Sequence, residues 1–413
     1  MLCPAILIYN QQHAERPFER EDADFDSLDQ KVQKLMNGRS ATLAVYVVLA
    51  LISIHCPWAM AQSDHASAQA VPATPTAWKK IVNRLEELRA KHGVTALLVG
   101  VGIGEAPPLV AAAGTSMTGV PARTDMHFRM GAMAIASQTT ILMQLVDEGR
   151  VKLDDTIDKW LPAYPKANAI TLRMLADSTS GYADYESDPG FTEAFEKDVF
   201  YAWPTEELLK IAFARDMVFE PGKGFQYAHT NFIVLAQALA KATNTPYEML
   251  LQQRIIDRLG LGQTRIWTTA ELPDPPLHGF TKERGVFEDS TYWSPSWTSY
   301  TGPLNGDMAD TVRLMRALAT GATVSKESLH LMLTPATLGK GVNTAEHAFS
   351  LGLELLPPWV QKTFFFGGYG GTAGYDASKD LTIAVVTTLG RDSAPDENPS
   401  TPIFYELAEM LGR

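Results

Sequence analysis

Segments with the pattern of β-strands lie near both ends of this chain, and mostly helical patterns lie between them. Thr95 to Gly102 and Leu109 to Ala113 are predicted strands, and so are Thr363 to Phe366 and Leu381 to Thr388. From residue 154 to about 300, helical segments alternate with loops rich in Pro and Gly. Since strands from both ends must share one core, this order predicts an α/β (α+β) fold. We expect an antiparallel sheet flanked by helices, with an all-helical subdomain inserted.

Four further segments have the apolar spacing of helices that pack against a sheet. The first begins with Thr76 as its cap and ends before Gly93, a residue suited to a helix C-terminus. The other three cover 134–148, 307–319 and 402–411. These helices supply the layers that an isolated sheet would need to bury its faces.

The folded domain is predicted to cover residues 76–413. Residues 36–61 combine a basic start, an apolar run and a small-x-small site, which is the order of a secretory signal. Residues 1–35 are then a mis-assigned or disordered extension, and 62–75 form a linker rich in Ala, Ser and Pro. The protein is therefore predicted to be periplasmic or secreted. It would contact a membrane only if the signal segment stays uncleaved as an anchor.

Charge and cysteine content narrow the classes of partner. The formal net charge is −12 and the pI is about 5.3, which argues against a nucleic-acid partner. The two cysteines, Cys3 and Cys56, both precede the predicted cleavage site, so the mature chain would form no disulfide. The histidines and cysteines lack the spacing of a zinc site, and no metal or cofactor is predicted.

Several short phrases occur in one order along the chain, and together they resemble a known family. This sequence is similar to the serine β-lactamase and penicillin-binding family, which includes class C β-lactamases, DD-peptidases and related esterases. The resemblance runs from about residue 78 to 411 and implies the fold outlined above, with an active site between the sheet and the helical subdomain. The phrases are Phe128-Arg-Met-Gly131, Leu145-Val-Asp-Glu-Gly149, Leu161-Pro-Ala-Tyr-Pro165, Thr179-Ser-Gly181, Pro221-Gly222, Tyr227, Thr230-Asn231 and Gly370-Gly-Thr-Ala-Gly374.

The resemblance also implies where the reaction should occur, and there the sequence departs from the family. In the family, Phe-Arg-x-Gly runs into Ser-x-x-Lys, in which the lysine takes the proton of the serine nucleophile. Here Gly131 is followed by Ala132-Met133-Ala134-Ile135, so the nucleophile position holds a methyl group and the base position a hydrocarbon. No serine elsewhere in the chain has a lysine three residues later. The sequence therefore predicts loss of the family's acyl-transfer chemistry.

Two further motifs are altered. The family's Tyr-x-Asn reads Tyr227-Ala-His229, and its Lys-Thr-Gly or His-x-Gly reads Tyr369-Gly370-Gly371. The loop that is usually His-Thr-Ser-Gly begins with Ser178. By resemblance, the backbone N–H groups of Ala132 and Thr372 would form the oxyanion hole, which needs no particular side chain. The predicted binding residues are therefore Ala132, Tyr369, Gly370, Gly371 and Thr372.

Some side chains are candidate replacements for the missing groups. Tyr227 and His229 share a face if that stretch is extended, and they would form an acid–base pair; the alternative is that His229 fills space left by Asn. Ser137 lies about 140° round the helix from Ala132, which favours a helix serine bonded to the backbone. Ser178 and Ser180 are better explained by hydrogen bonds within their loop.

An aromatic group follows the helical region. Tyr292, Trp293, Trp297 and Tyr300 would form a wall for ligand stacking, or a packed corner of the subdomain.

Two functional hypotheses follow. In the first, the chain is a catalytically impaired family member kept for binding a peptidoglycan-like fragment, a small ester or amide, or a protein partner. In the second, it is an active hydrolase with a rewired site that uses Tyr227 and His229. A gene product without function is the third alternative.

Overall fold

The structure, a computed structural model, describes residues 75–412. The predicted extension, the signal segment and residues 62–74 of the linker lie outside the described residues. Within the described range no helix is both long and apolar enough to cross a membrane.

Eleven helices and thirteen strands are present among the described residues. The helices are α1 (Pro75–Lys91), α2 (Met133–Asp147), α3 (Leu172–Ala176), α4 (Pro189–Lys197), α5 (Thr205–Phe213), α6 (His229–Thr243), α7 (Tyr247–Leu251), α8 (Asp257–Leu259), α9 (Met308–Thr320), α10 (Lys326–Met332) and α11 (Ser400–Gly412). The strands are β1 (Ala96–Ile103), β2 (Leu109–Met117), β3 (Val120–Pro121), β4 (Phe128–Arg129), β5 (Arg265–Ile266), β6 (Phe280–Thr281), β7 (Glu288–Asp289), β8 (Leu304–Gly306), β9 (Ala348–Ser350), β10 (Leu353–Leu356), β11 (Trp359–Phe366), β12 (Tyr369–Asp376) and β13 (Leu381–Thr388).

The main sheet joins strands from both ends of the chain, as the sequence predicts. Its order is β3-β2-β1-β13-β12-β11-β10-β9, so β1 pairs directly with β13. All its pairs are antiparallel, with Ala96 opposite Thr388 at one end of the β1–β13 ladder and Ile103 opposite Leu381 at the other. The expectation of an antiparallel sheet built from both termini is confirmed.

Alternate side chains of the sheet enter two different cores, because successive strand residues point to opposite faces. From β1, Leu97 and Val99 pack with α1 and α11, whereas Ala96 and Leu98 join the larger core on the opposite face. That larger core includes α2, α6 and α9. The sheet is therefore covered by helices on both faces, and the larger core positions the candidate site.

The region from 154 to 300 is mostly helical, with α3 to α8 and short 3-10 turns. It also contains the two-residue strands β5, β6 and β7. Strand β5 pairs with β8, and β6 pairs with β7.

The sequence reasoning missed β12, an interior strand of the main sheet. Its segment contains three glycines, a residue that weakens strands because it offers no side chain to pack. Here the glycines serve close packing instead: a Cβ on Gly371 would lie 1.8 Å from the Phe364 ring, and one on Gly374 would lie 2.7 Å from the Phe404 ring. The tertiary contacts therefore explain a strand that local propensity disfavours.

Candidate functional site

The two positions at which the family resemblance predicts a nucleophile and a base, Ala132 and Ile135, lie in an apolar cluster. Ala132 is the N-cap residue of α2, and Ile135 lies one turn into the helix with no exposed surface. Ile135 packs with the buried rings of Phe232 and Phe349. The partly buried side chains of Ala132, Phe225 and Tyr227 pack against the same group. We call these six residues the apolar cluster; apart from the hydroxyl of Tyr227, its side chains are hydrocarbon.

A phenyl ring covers the backbone beside this cluster. Phe364 on β11 is almost fully buried, and its Cβ lies 2.8 Å from the position that a Cβ on Gly131 would take. Its ring also occupies the space above Gly371 on the neighbouring strand. The backbone on either side of the family's reaction centre is therefore packed against a hydrocarbon ring.

The structure adds Lys362, a buried lysine that the sequence reasoning missed. Its ammonium lies 5.6 Å from the Tyr227 ring centre and 5.2 Å from the Phe349 ring centre, and 3.4 Å from Oε1 of Glu354. Burial lowers the pKa of this ammonium, and Glu354 opposes that shift. The sequence did contain a signal for it: a Lys-Thr pair, Lys362-Thr363, lies on β11, but the family's Lys-Thr-Gly motif was assigned to Tyr369-Gly370-Gly371 on β12.

A charged group lies beside the cluster, at the start of α6. His229 is the first residue of that helix, and its Nδ1 lies 3.0 Å from Oδ2 of Asp184 and 2.8 Å from Oε2 of Glu186. Asp184 caps the short 3-10 turn Tyr185–Ser187, which brings Glu186 to the same nitrogen. The three side chains are largely buried, with exposed fractions of 17% for His229, 9% for Asp184 and 13% for Glu186.

The protonation of His229 decides what it can do. Burial lowers its pKa, but the two carboxylates more than offset burial and raise the pKa to about 10. At neutral pH the ring is therefore an imidazolium, which has no lone pair with which to accept a proton. In this state His229 is a donor and a fixed positive charge rather than a general base.

The predicted pairing of Tyr227 and His229 is present as geometry. Ala228 between them is extended (φ −146°, ψ 127°), so the two side chains share a face. Their ring centres are 5.3 Å apart and the rings are nearly perpendicular. Tyr227, a member of the apolar cluster, thus contacts His229 of the charged group.

The same charged group is the candidate metal site within residues 75–412. The donor atoms of Asp184, Glu186 and His229 lie within 4.8 Å of one another. Two carboxylates and an imidazole suit a divalent ion, which would displace the histidine proton. The sequence spacing could not indicate this group, because His229 lies 43 positions after Glu186 in the sequence. The absence of a metal stays a prediction.

The residues predicted for binding on β12 have roles within the sheet. Tyr369 has no exposed surface and its hydroxyl donates to the carbonyl of Leu277; burial raises its pKa. The hydroxyl of Thr372 bonds with those of Ser400 and Thr401. Gly370 faces the side chain of Asn398.

The oxyanion hole implied by the resemblance needs a correction. Thr372 lies opposite Thr363 on one side and Val385 on the other, in an interior strand. Backbone N–H groups of an interior strand are taken up by the ladders with its two neighbours. The N–H of Thr372 is therefore not available to a ligand in this structure, and Ala132 at the start of α2 is the remaining member of the predicted pair.

The candidate replacement serines are structural. Ser137 is fully buried and donates to the carbonyl of Met133, as predicted for a helix serine. Ser180 donates to Oδ1 of Asn231 and accepts from the N–H of Tyr182, as predicted for a loop serine. The loop hydrogen bond predicted for Ser178 is wrong: its hydroxyl is buried without a hydrogen-bond partner, and its backbone is left-handed (φ 60°).

The aromatic residues predicted as one wall separate into three places. Trp293 and Trp297 are buried and line one small pocket. Tyr292 is exposed and contacts His278, whereas Tyr300 contacts Tyr247.

The pocket that contains the two tryptophans combines aromatic and acidic side chains. Its volume is about 30 Å³ and it is partly open to solvent. Trp297 also contacts His229, with 6.1 Å between the ring centres, so the pocket adjoins the charged group. We call it the acidic aromatic pocket; its lining residues are Glu186, Phe195, Glu283, Trp293, Trp297, Phe365, Phe366, Gly367, Pro395 and Asp396.

Comparison with known proteins agrees with this fold. The Beta-lactamase family model matches residues 81–402, so this chain belongs to that family. A penicillin-binding protein of Bacillus subtilis (strain 168) is 25% identical over 278 residues, which are 61% of this chain and 57% of that protein. The D-alanyl-D-alanine-carboxypeptidase/endopeptidase AmpH of Escherichia coli (strain K12) is 32% identical over 168 residues, 39% of this chain and 42% of that protein.

The solved structures extend the likeness across the domain. A D-stereospecific amidohydrolase from Streptomyces sp. superposes with a TM-score of 0.71 at 24% identity, covering 81% of this chain and 99% of that one. At this identity the likeness shows the fold alone. The chain spans about half the length of the curated relatives it matches, 57% of the first and 42% of AmpH.

Proposed function

We propose that this chain is an exported, catalytically impaired member of the family that binds a small ligand without forming an acyl-enzyme. The observation that carries the proposal is the apolar cluster: a methyl group and a buried hydrocarbon stand where the family has its nucleophile and base. Loss of the nucleophile alone costs a serine hydrolase about a millionfold in turnover.

The ligand class follows from the relatives by analogy. The curated relatives include penicillin-binding and D-alanyl-D-alanine-carboxypeptidase proteins, and one structural neighbour holds phenylalanine amide. A peptidoglycan-like fragment or a small ester or amide is therefore the class of ligand proposed. The signal-like order of residues 36–61 supports a periplasmic or secreted location, where such ligands occur.

The alternative is a hydrolase with a rewired site. The observation in its favour is the 5.3 Å separation of the Tyr227 and His229 rings. Against it, the carboxylates of Asp184 and Glu186 keep His229 protonated at neutral pH, where a general base must be neutral. The structure thus favours binding over this second chemistry.

The test is intact mass of the full chain after incubation with a penicillin and with a fluorophosphonate. The wild type is expected to show no adduct. The Ala132→Ser, Ile135→Lys double variant restores the two groups and is expected to form one, whereas Ala132→Ser alone, without the base, is expected to react far more slowly. Thermal unfolding of each variant checks the fold, because Ile135→Lys places a charge in a buried position.

An adduct on the wild type, mapped by peptide to one residue, would contradict the proposal and identify a substitute nucleophile. Hydrolysis of an ester or amide that disappears in both Tyr227→Phe and His229→Gln would establish the alternative instead.

A further inference from the structure

The acidic aromatic pocket has features that neither the family chemistry nor the apolar cluster uses. Five aromatic side chains line it, and two pairs of ring centres around Phe195 are each 5.8 Å apart, one to Trp293 and one to Trp297. Phe366 lies 5.4 Å from Trp297. Aromatic faces carry negative electrostatic potential and attract cations within about 6 Å.

Three carboxylates stand among these rings: Glu186, Glu283 and Asp396. The carboxyl of Glu283 accepts a hydrogen bond from Thr281, and none of the ion pairs between described residues includes it. Burial, together with the neighbouring charges of Glu186 and Glu196, raises its pKa to about 7. The Glu283 carboxyl is therefore a hydrogen-bond acceptor that forms no ion pair with a described residue.

The positive groups nearby are already engaged. The guanidinium of Arg284 lies over the Trp293 ring at 5.5 Å but pairs with Glu288 at 2.6 Å. Arg129 lies 5.5 Å from the Phe366 ring centre and donates to the carbonyls of Ala270 and Thr291. His229 lies between Asp184 and Glu186. Glu186 therefore pairs with His229, whereas none of these three positive groups pairs with Glu283 or Asp396.

The dimensions suit a compact cationic head group. The cavity of about 30 Å³ is partly open to solvent, so an ammonium group fits inside while the rest of a ligand stays outside. A primary ammonium offers three N–H donors, which suits a pocket with several carboxylates.

We propose that the acidic aromatic pocket binds the primary ammonium group of a small organic ligand. This inference rests on the proposed binding function and names the chemical group by which the ligand would be held. Glu283 is then the main acceptor, and binding strengthens as this carboxyl ionises.

The test is a ¹⁹F NMR titration of the full chain with 4-fluorobenzylamine and with the uncharged 4-fluorobenzyl alcohol. The amine is expected to bind at least about tenfold more tightly than the alcohol. This ratio of dissociation constants is the one expected when a single charge-assisted hydrogen bond replaces a neutral one in a partly buried site. Between pH 6 and pH 8 the affinity for the amine should rise, by up to about tenfold, because Glu283 loses its proton over this interval.

Glu283→Gln keeps the shape of the protonated carboxyl and should weaken amine binding about tenfold and remove its pH dependence. Glu193→Gln, an exposed glutamate on α4 near Phe195, is the matched control and should change neither. Asp396→Asn supplies a second test if Glu283→Gln unfolds at a lower temperature.

Equal binding of amine and alcohol, binding of neither, or full amine affinity in both Glu283→Gln and Asp396→Asn would overturn the inference. Its failure is separable from failure of the proposed function, since the mass assay reports acyl-enzyme formation independently of amine binding. Selective amine binding, together with no adduct on the wild type, supports both the ammonium-binding inference and the proposed function.

Discussion

The apolar cluster and the charged group at His229 lie side by side, with Tyr227 in contact with both, yet their chemistry is opposite. In the apolar cluster, Ala132 and Ile135 have replaced groups that would be charged or reactive, and the space is filled by side chains. In the charged group, two carboxylates hold an imidazolium in a largely buried position. One region is filled by apolar side chains, while its neighbour holds buried charges whose protonation depends on pH.

The largest expected effect tests whether the apolar cluster is a real core. Ile135→Ala should lower the free energy of unfolding by about 3 kcal/mol, because it leaves a cavity among Phe232 and Phe349. Urea unfolding measures it, with Ile81→Ala in the core on the other face of the sheet as the matched control. A loss below about 1 kcal/mol for Ile135 alone would show that this region is loosely packed and open.

The pH dependence of stability tests the charged group. Since the folded pKa of His229 is raised above its unfolded value near 6.5, its contribution is fully present below pH 6.5 and is lost as pH rises towards about 10. The loss should be on the order of 3 kcal/mol between pH 7 and pH 9.5, relative to His229→Gln. NMR of the ring checks it directly: a His229 signal that titrates near pH 6.5 would contradict the ion pair.

Removing one carboxylate sharpens the same comparison. Asp184→Ala should lower the free energy of unfolding by about 2 kcal/mol. This is less than the penalty for leaving a buried charge with no partner, because Glu186 still pairs with the histidine. Asp198→Ala is the control: Asp198 also accepts a hydrogen bond from the N–H two residues later, as Asp184 does, but faces no histidine. If both variants lose equal stability, the turn and not the ion pair accounts for the effect.

The smallest expected effect concerns the loop that contains Ser178. Ser178 has a left-handed backbone and a buried hydroxyl without a partner. Ser178→Gly should therefore stabilise the protein by about 0.5–1 kcal/mol, since glycine adopts this conformation without strain. Thermal unfolding measures the change, with Ser187→Gly as a control; destabilisation by Ser178→Gly would show that the hydroxyl serves the fold.

Sequence reasoning predicted most of the fold because its signals are local. The strand Leu381 to Thr388 was predicted at its observed bounds, and the helix predicted over 134–148 differs by one residue at each end from the observed Met133–Asp147. Strand β12 was missed because its glycines disfavour a strand locally and are explained only by rings from β11 and α11. A sheet that joins strands from both ends of the chain was predicted from the order of the elements along the sequence, and the pairing of β1 with β13 agrees with it.

The site was predictable to a smaller extent. The proposed loss of nucleophile and base rests on the identities of Ala132 and Ile135, which the sequence gives without the tertiary structure. The pairing of Tyr227 with His229 followed from their spacing around an extended residue. The prediction that the Thr372 N–H is the second oxyanion donor is wrong, because Thr372 lies in an interior strand that the sequence reasoning missed.

By itself the sequence determined that this chain has the family's fold and lacks its serine–lysine pair, since both depend on residue identity and order along the chain. Only the tertiary structure decided that His229 is an imidazolium, that Lys362 reaches Tyr227, and that carboxylates and aromatic rings meet in one pocket. The physical reason is distance: protonation, ion pairing and cavity shape depend on the separation of side chains in space. Residues far apart in the sequence bring those groups together only when the chain folds.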